Sequence, residues 1–73
     1  MAYELWDIEY ANLLAEFSTE DAALAAVRDE VEAGGRKAIA HLALAFENEA
    51  GDTHPVAAGS ALADRAQRSV SIR

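Results

Sequence analysis

His41 and His54 are the only imidazoles in this chain of 73 residues. With the carboxylates near them they are the side chains from which a metal site or a general base would have to be assembled. His54 lies close to Asp52, with Glu47 and Glu49 across a turn, so a loop could in principle offer a cation one nitrogen and several oxygens. The spacing argues against it, because one histidine among scattered carboxylates has none of the regular intervals that point ligands at a common centre. A solvated hairpin end is the expectation, with no metal. Glu4 and Glu16 fall opposite each other on a hairpin and have the form of a carboxylate pair for acid–base work. Such work requires a cleft that raises one of the two pKa values, and so small a domain has little room for one. A repelling pair at a wet edge is expected. No nucleophile is flanked by a base. Gly34 and Gly35 follow a helix, whereas a phosphate-cradling loop would precede one. The residues therefore predict no catalytic group, no cofactor and no enzyme.

The residues that stand out are apolar. Trp6, Ile8 and Leu14 are predicted to share one side of the first hairpin, the side turned away from the main helix. Aromatic strips of this kind mark interfaces, so these three are the candidate interface. The competing expectation is that a second helix covers the strip and Trp6 is part of the core.

The elements that position these residues can be read in turn. Residues 18–35 are predicted to be the main helix. Ser18 and Asp21 have the spacing of a capping box, and Glu20 and Asp21 place negative charge at the positive end of the helix dipole. Ala23, Leu24, Val27 and Val31 recur on one face, while Arg28, Asp29 and Glu32 fall on the other. Gly34 and Gly35 supply the left-handed residue that ends the helix.

Residues 2–18 read as a β-hairpin around a polar centre at Glu9 to Asn12. A three-residue loop of Glu9, Tyr10 and Ala11 would pair Ile8 with Asn12, Trp6 with Leu14, Leu5 with Ala15 and Tyr3 with Phe17. Tyr3, Leu5, Leu13, Ala15 and Phe17 then face the helix. Residues 36–40 have no clear period and read as a connection or a ragged helical turn. Residues 41–48 form the next strand, and a second three-residue loop, Glu49, Ala50 and Gly51, pairs Asn48 with Asp52, Phe46 with His54, Leu44 with Val56 and Leu42 with Ala58. Pro55 has no N–H to give to a ladder and belongs on an edge or at a bulge. A short helix over 60–68 follows, with Leu62, Ala63 and Ala66 as its apolar side. The fold class is α+β: a two-layer ββαββα sandwich whose two hairpins form an antiparallel or mixed sheet packed on the main helix. One domain spans residues 1–68. The basic tail, 69–73, is either frayed or a strand available to a sheet edge.

The strand Tyr3-Glu4-Leu5-Trp6-Asp7, the loop ending in Asn12 and Leu13, and the segment from Phe17 to Arg28 together resemble a group of short, acidic, uncharacterised bacterial proteins. In that group a strand and helix of this type lead to a second strand, here Leu42 to Leu44, then to an acidic turn with glycine and a short helix. The resemblance covers residues 3–66. It implies the ββαββα layout and a bacterial cytosolic origin, and it brings no site residues with it. The group ordinarily has glycine in the first hairpin loop where this chain has Ala11, which places left-handed backbone on Ala11 or on Asn12.

Composition bounds the partners. Although 52% of residues are hydrophobic, nearly half of those are alanine, which makes a thin core for a domain of this length. With no cysteine there is neither a disulfide framework nor a thiolate metal site. No signal-peptide pattern or membrane-length apolar run occurs, so a cytoplasmic protein is expected. The net charge of −7 is concentrated in the body, while the last ten residues, with Arg65, Arg68 and Arg73 against Asp64, are net positive. An acidic body repels phosphate backbones and anionic lipid, which disfavours nucleic acid and membrane. The expected function is a small non-catalytic protein-interaction module working as a homodimer. The alternative is an acidic regulator, antitoxin-like or inhibitor-like, that occupies the groove of a basic partner.

Overall fold

A computed structural model describes residues 2–69 of the chain. Its elements are β1 (Ala2–Asp7), β2 (Asn12–Phe17), α1 (Glu20–Gly34), a 3-10 turn (Arg36–Ile39), β3 (Leu42–Glu47), β4 (Thr53–Ala58) and α2 (Gly59–Arg68). The four strands form a single antiparallel sheet in the order β2-β1-β3-β4, so the fold is α+β in the order ββαββα. Both helices lie on the same side of that sheet. Leu5, Leu42 and Leu44 on the strands share one buried cluster with Ala23, Leu24 and Val27 of α1, Ile39 of the 3-10 turn, and Leu62, Ala63 and Ala66 of α2. The helix faces expected from the apolar spacing are thus the faces that are buried. Tyr3 packs against Phe46 with ring centroids 5.0 Å apart and planes tilted by 44°, and Phe17, opposite Tyr3 in the ladder, closes that end of the core.

α1 begins one residue later than the capping box predicts. Thr19, in extended conformation, is the N-cap, and its hydroxyl accepts a hydrogen bond from the Ala22 N–H at 3.1 Å. β2 runs on through Phe17, and the chain uses both Ser18 and Thr19 to turn from sheet to helix, so the capping hydroxyl falls to the second of them. At the other end Gly35 has φ +79 and its N–H closes on the Val31 carbonyl at 2.7 Å, the left-handed stop the sequence anticipates. α2 begins at Gly59 with no side-chain cap, and so one residue ahead of its expected start.

Arginines hold the helical layer together. The Arg28 guanidinium donates to the Ala66 carbonyl and to the Ser69 hydroxyl, covering the C-terminal end of α2 where helix carbonyls are unsatisfied. Arg36 pairs with Asp64 at 2.8 Å, and Arg65 pairs with Glu20; the hydrogen bond to Glu20 raises the Arg65 pKa further above working pH. Ser69, which the sequence reading placed in the tail, is therefore tied to α1. The rest of the expected tail, residues 70–73, lies outside the described residues.

Both hairpins depart from the expected register at one point each. In the first, Tyr3 opposes Phe17, Glu4 opposes Glu16 and Leu5 opposes Ala15, as predicted, but a bulge then sets Trp6 against Leu13 and Asp7 against Asn12. The cause is in the turn. Asp7 Oδ1 accepts the N–H groups of Glu9 and Tyr10 at 2.9 and 3.2 Å, which closes a turn over residues 8–11 and ends β1 one residue early, at Asp7. The extra residue is absorbed at Leu14. Ala11 takes φ +57 and does the work glycine would do. In the second hairpin Gly51 has φ +89, and Phe46 opposes His54 as expected. A bulge after Pro55 then replaces the expected pairs of Leu44 with Val56 and Leu42 with Ala58 by Leu44 with Ala57 and Ala43 with Ala58. Pro55 cannot donate to a ladder, and the irregularity falls beside it on an edge strand.

Candidate interaction face

The alternation of strand residues sends Leu5 and Leu44, which oppose each other, towards the helices; their neighbours Glu4, Trp6, Ala43 and Ala45 point to the other side of the sheet. Among the described residues that other side is open. α2 packs with α1 on the Leu44 side, so the expectation that the second helix covers Trp6 does not hold. The reason lies in β3: its buried residues are Leu42 and Leu44, and their pairing with Asp7 and Leu5 commits both helices to one layer.

The three predicted interface residues fall on this region in different ways. Trp6 is half-buried, whereas Ile8 is 57% exposed and Leu14 is 51% exposed. Trp6 and Ile8 line a shallow apolar concavity of about 380 Å³ with Ala11, Ala43, Ala45 and Thr53. Its floor is low because Ala43 and Ala45 present only methyl groups beside the indole. It is larger than the groove between the two helices, about 240 Å³, which lies beside Arg28 and Glu32. Leu14 is the bulge residue and is not part of the concavity. Leu13, expected under α1, is 44% exposed and opposes Trp6, since the bulge reverses the faces at that point. With Tyr10, 70% exposed, all the large hydrophobic side chains that stand strongly exposed among the described residues cluster between residues 8 and 14.

Glu4 lies on this face with Trp6, at its edge. It does oppose Glu16, as predicted, but the expected wet repelling pair does not form. Glu4 is only 8% exposed, and one of its carboxylate oxygens accepts the Trp6 indole N–H at 3.0 Å. The indole thereby lies along β1 towards Glu4, and the carboxylate holds the ring in place. The shared face was legible in the spacing, since residues two apart on a strand share a face; the bond between the two side chains was not. Electrostatically the face is one-sided: the four strands contain Glu4, Asp7, Glu16 and Glu47, and no lysine or arginine.

His41 and His54 are not brought together around a common centre. Among the described residues no group of three or more histidines or carboxylates is arranged to hold a metal ion, and no helix is long and apolar enough to cross a membrane. No known protein family, curated protein or solved structure matches the chain. Fold and surface define a class only: a two-layer α+β domain with one sheet face covered by its helices and the other, apolar at its centre, left open.

Proposed function

We propose that the chain is a small non-catalytic interaction module of the cytoplasm that works as a homodimer, two copies meeting through the open faces of their sheets. The observation that carries this reading is the position of Trp6: a tryptophan, held in place by Glu4, on a sheet face that neither helix covers. Burial of such a ring contributes strongly to association when a partner excludes water from it.

Edge-to-edge growth of the sheet is disfavoured at both ends. β2 carries the bulge at Leu14, and β4 carries Pro55 and a bulge of its own, devices that spoil an edge for pairing. The face is the remaining route. Four strands about 4.8 Å apart and six residues long give it a footprint of about 400 Å² per copy. Two copies would bury about 1,000 Å² of accessible surface once side-chain relief is counted, the lower bound for a specific interface. A slab only 16 Å thick would become a four-layer sandwich with a second apolar core. Since no lysine or arginine lies in the strands, a second reading, an acidic regulator that engages a basic partner through the same face, has support from charge.

Sedimentation equilibrium with circular dichroism tests the proposal. Wild type should sediment at twice the 7.8 kDa chain mass, and Trp6→Glu should be a folded monomer, because each introduced charge would be buried against its symmetry mate. A wild-type monomer at every concentration would contradict the homodimer. If that monomer then captured a lysine-rich peptide in a salt-sensitive manner, the second reading would stand in its place.

A further inference from the structure

The open face is not uniform along its strands. Reading across the sheet, one row consists of Ala2, Glu47 and Thr53, the next of Glu16, Glu4, Ala45 and Pro55, and the third of Leu13, Trp6, Ala43 and Ala58. Beyond the third row the face ends at Ile8, whose N–H extends the β1–β3 ladder by bonding to the His41 carbonyl, and at the turn with Tyr10 and Ala11. Glu4, Glu16 and Glu47 therefore occupy one end, and the apolar residues occupy the middle and the other end. Asp7 also borders the concavity, but its Oδ1 is engaged by two N–H groups of the turn.

We infer that the twofold axis of the homodimer runs across the strands, along the row that contains Trp6 and Ala43, so that β1 stacks antiparallel on the partner's β1 and β3 on the partner's β3. The inference rests on the homodimer reading above and adds its geometry. Two sheets stacked face to face with their strands aligned can be related by a twofold axis along the strands or across them. An axis along the strands lays each row on the same row of the partner, so the carboxylates of Glu4, Glu16 and Glu47 from both copies crowd one end of a closed interface. Like charges there are costly because water is excluded and screening is weak. An axis across the strands separates the two acidic ends. The acidic rows lie one and two positions from the Trp6 row, about 7 and 13 Å along the strands at 3.3 Å per residue; the second of these exceeds the Debye length at physiological salt. The arrangement also places the row of Glu4 and Glu16 against the partner's hairpin end, where the exposed Tyr10 hydroxyl is a donor. Trp6 meets the partner's Trp6 over the flat floor made by Ala43, the one row in which both copies offer apolar groups.

The absence of native cysteine makes the axis accessible to single-cysteine cross-linking with a short bis-maleimide. With the axis across the strands, Ala43→Cys faces its own copy and should link efficiently. Glu47→Cys, about 13 Å off the axis in each copy, should not link. With the axis along the strands the two positions keep the same separation from their mates and should link equally, and that outcome overturns the inference while leaving the dimer intact. Failure of both to link in a protein that sediments as a dimer would overturn the inference and also remove the open face as the interface. Circular dichroism establishes that each variant is folded.

Discussion

The two faces of this sheet are made by the same four strands, yet one is finished and the other is not. On the helical side Leu44 and Leu5 are covered by leucine, valine and alanine from α1, α2 and the 3-10 turn, and Ile39, Leu62, Val27, Ala63 and Ala66 are fully buried. On the other side Trp6 lies half-buried over alanines with Ile8 exposed beside it. The difference teaches where each apolar residue is used. Side chains that meet a helix of the same chain contribute to folding at any concentration, and under the proposed homodimer those that meet none contribute when a second copy arrives. The charged side chains follow the same division: the ion pairs of Arg36 and Arg65 and the hydrogen bonds of Arg28 bind together the elements of the helical layer, while the strands contain no lysine or arginine.

That comparison can be broken most forcefully by a substitution on the covered face. Leu44→Ala should destabilise the fold by about 2–5 kcal/mol, because Leu44 is fully buried and its neighbours can close only part of the space it leaves. Denaturant titration should show this loss whether the protein is dilute or concentrated. A Leu44→Ala protein as stable as wild type would mean that the core is not where the buried cluster places it.

A smaller effect is expected from the open face. Glu4→Ala removes the acceptor of the Trp6 indole N–H, leaving a donor without a partner once the ring is covered. This should weaken self-association by about 1 kcal/mol, roughly fivefold in dissociation constant. Glu4→Gln retains an acceptor and should associate nearly as well as wild type. Equal association by Glu4→Ala would show that the indole remains in water. The smallest change concerns the hairpin that carries both faces. Ala11→Gly should raise stability by up to about 1 kcal/mol, because φ +57 costs alanine a Cβ clash that glycine lacks. A lower melting temperature would show that Ala11 is content where it is.

Much of the covered face was legible in the residues. The apolar spacing of Leu24, Val27 and Val31, the glycine stop at Gly35 and the left-handed positions at Ala11 and Gly51 are local signals, and each describes a local structure. The order β2-β1-β3-β4 was not legible, since pairing β1 with β3 depends on contacts between residues about forty positions apart. The bulge in the first hairpin was missed because it arises from a side-chain event, Asp7 capturing two N–H groups of the turn, whereas the one beside Pro55 falls where the missing N–H led the sequence to expect an edge or a bulge. Ile39 was hidden in a four-residue turn too short to show a period. Of the candidate interface, Trp6 and Ile8 were placed on their face correctly. Leu14 was not brought into the concavity, because the bulge at that residue separates it from them.

Trp6 is the only tryptophan, so its emission reports directly on the central claim that the open face is covered by a second copy. In a dilution series the emission maximum should move to the red and quenching by iodide should rise as the dimer separates, with far-UV circular dichroism unchanged. An emission maximum and quenching constant that stay the same across the whole series would contradict the account. Trp6 would then be in one environment at every concentration, and the face would have no second copy upon it.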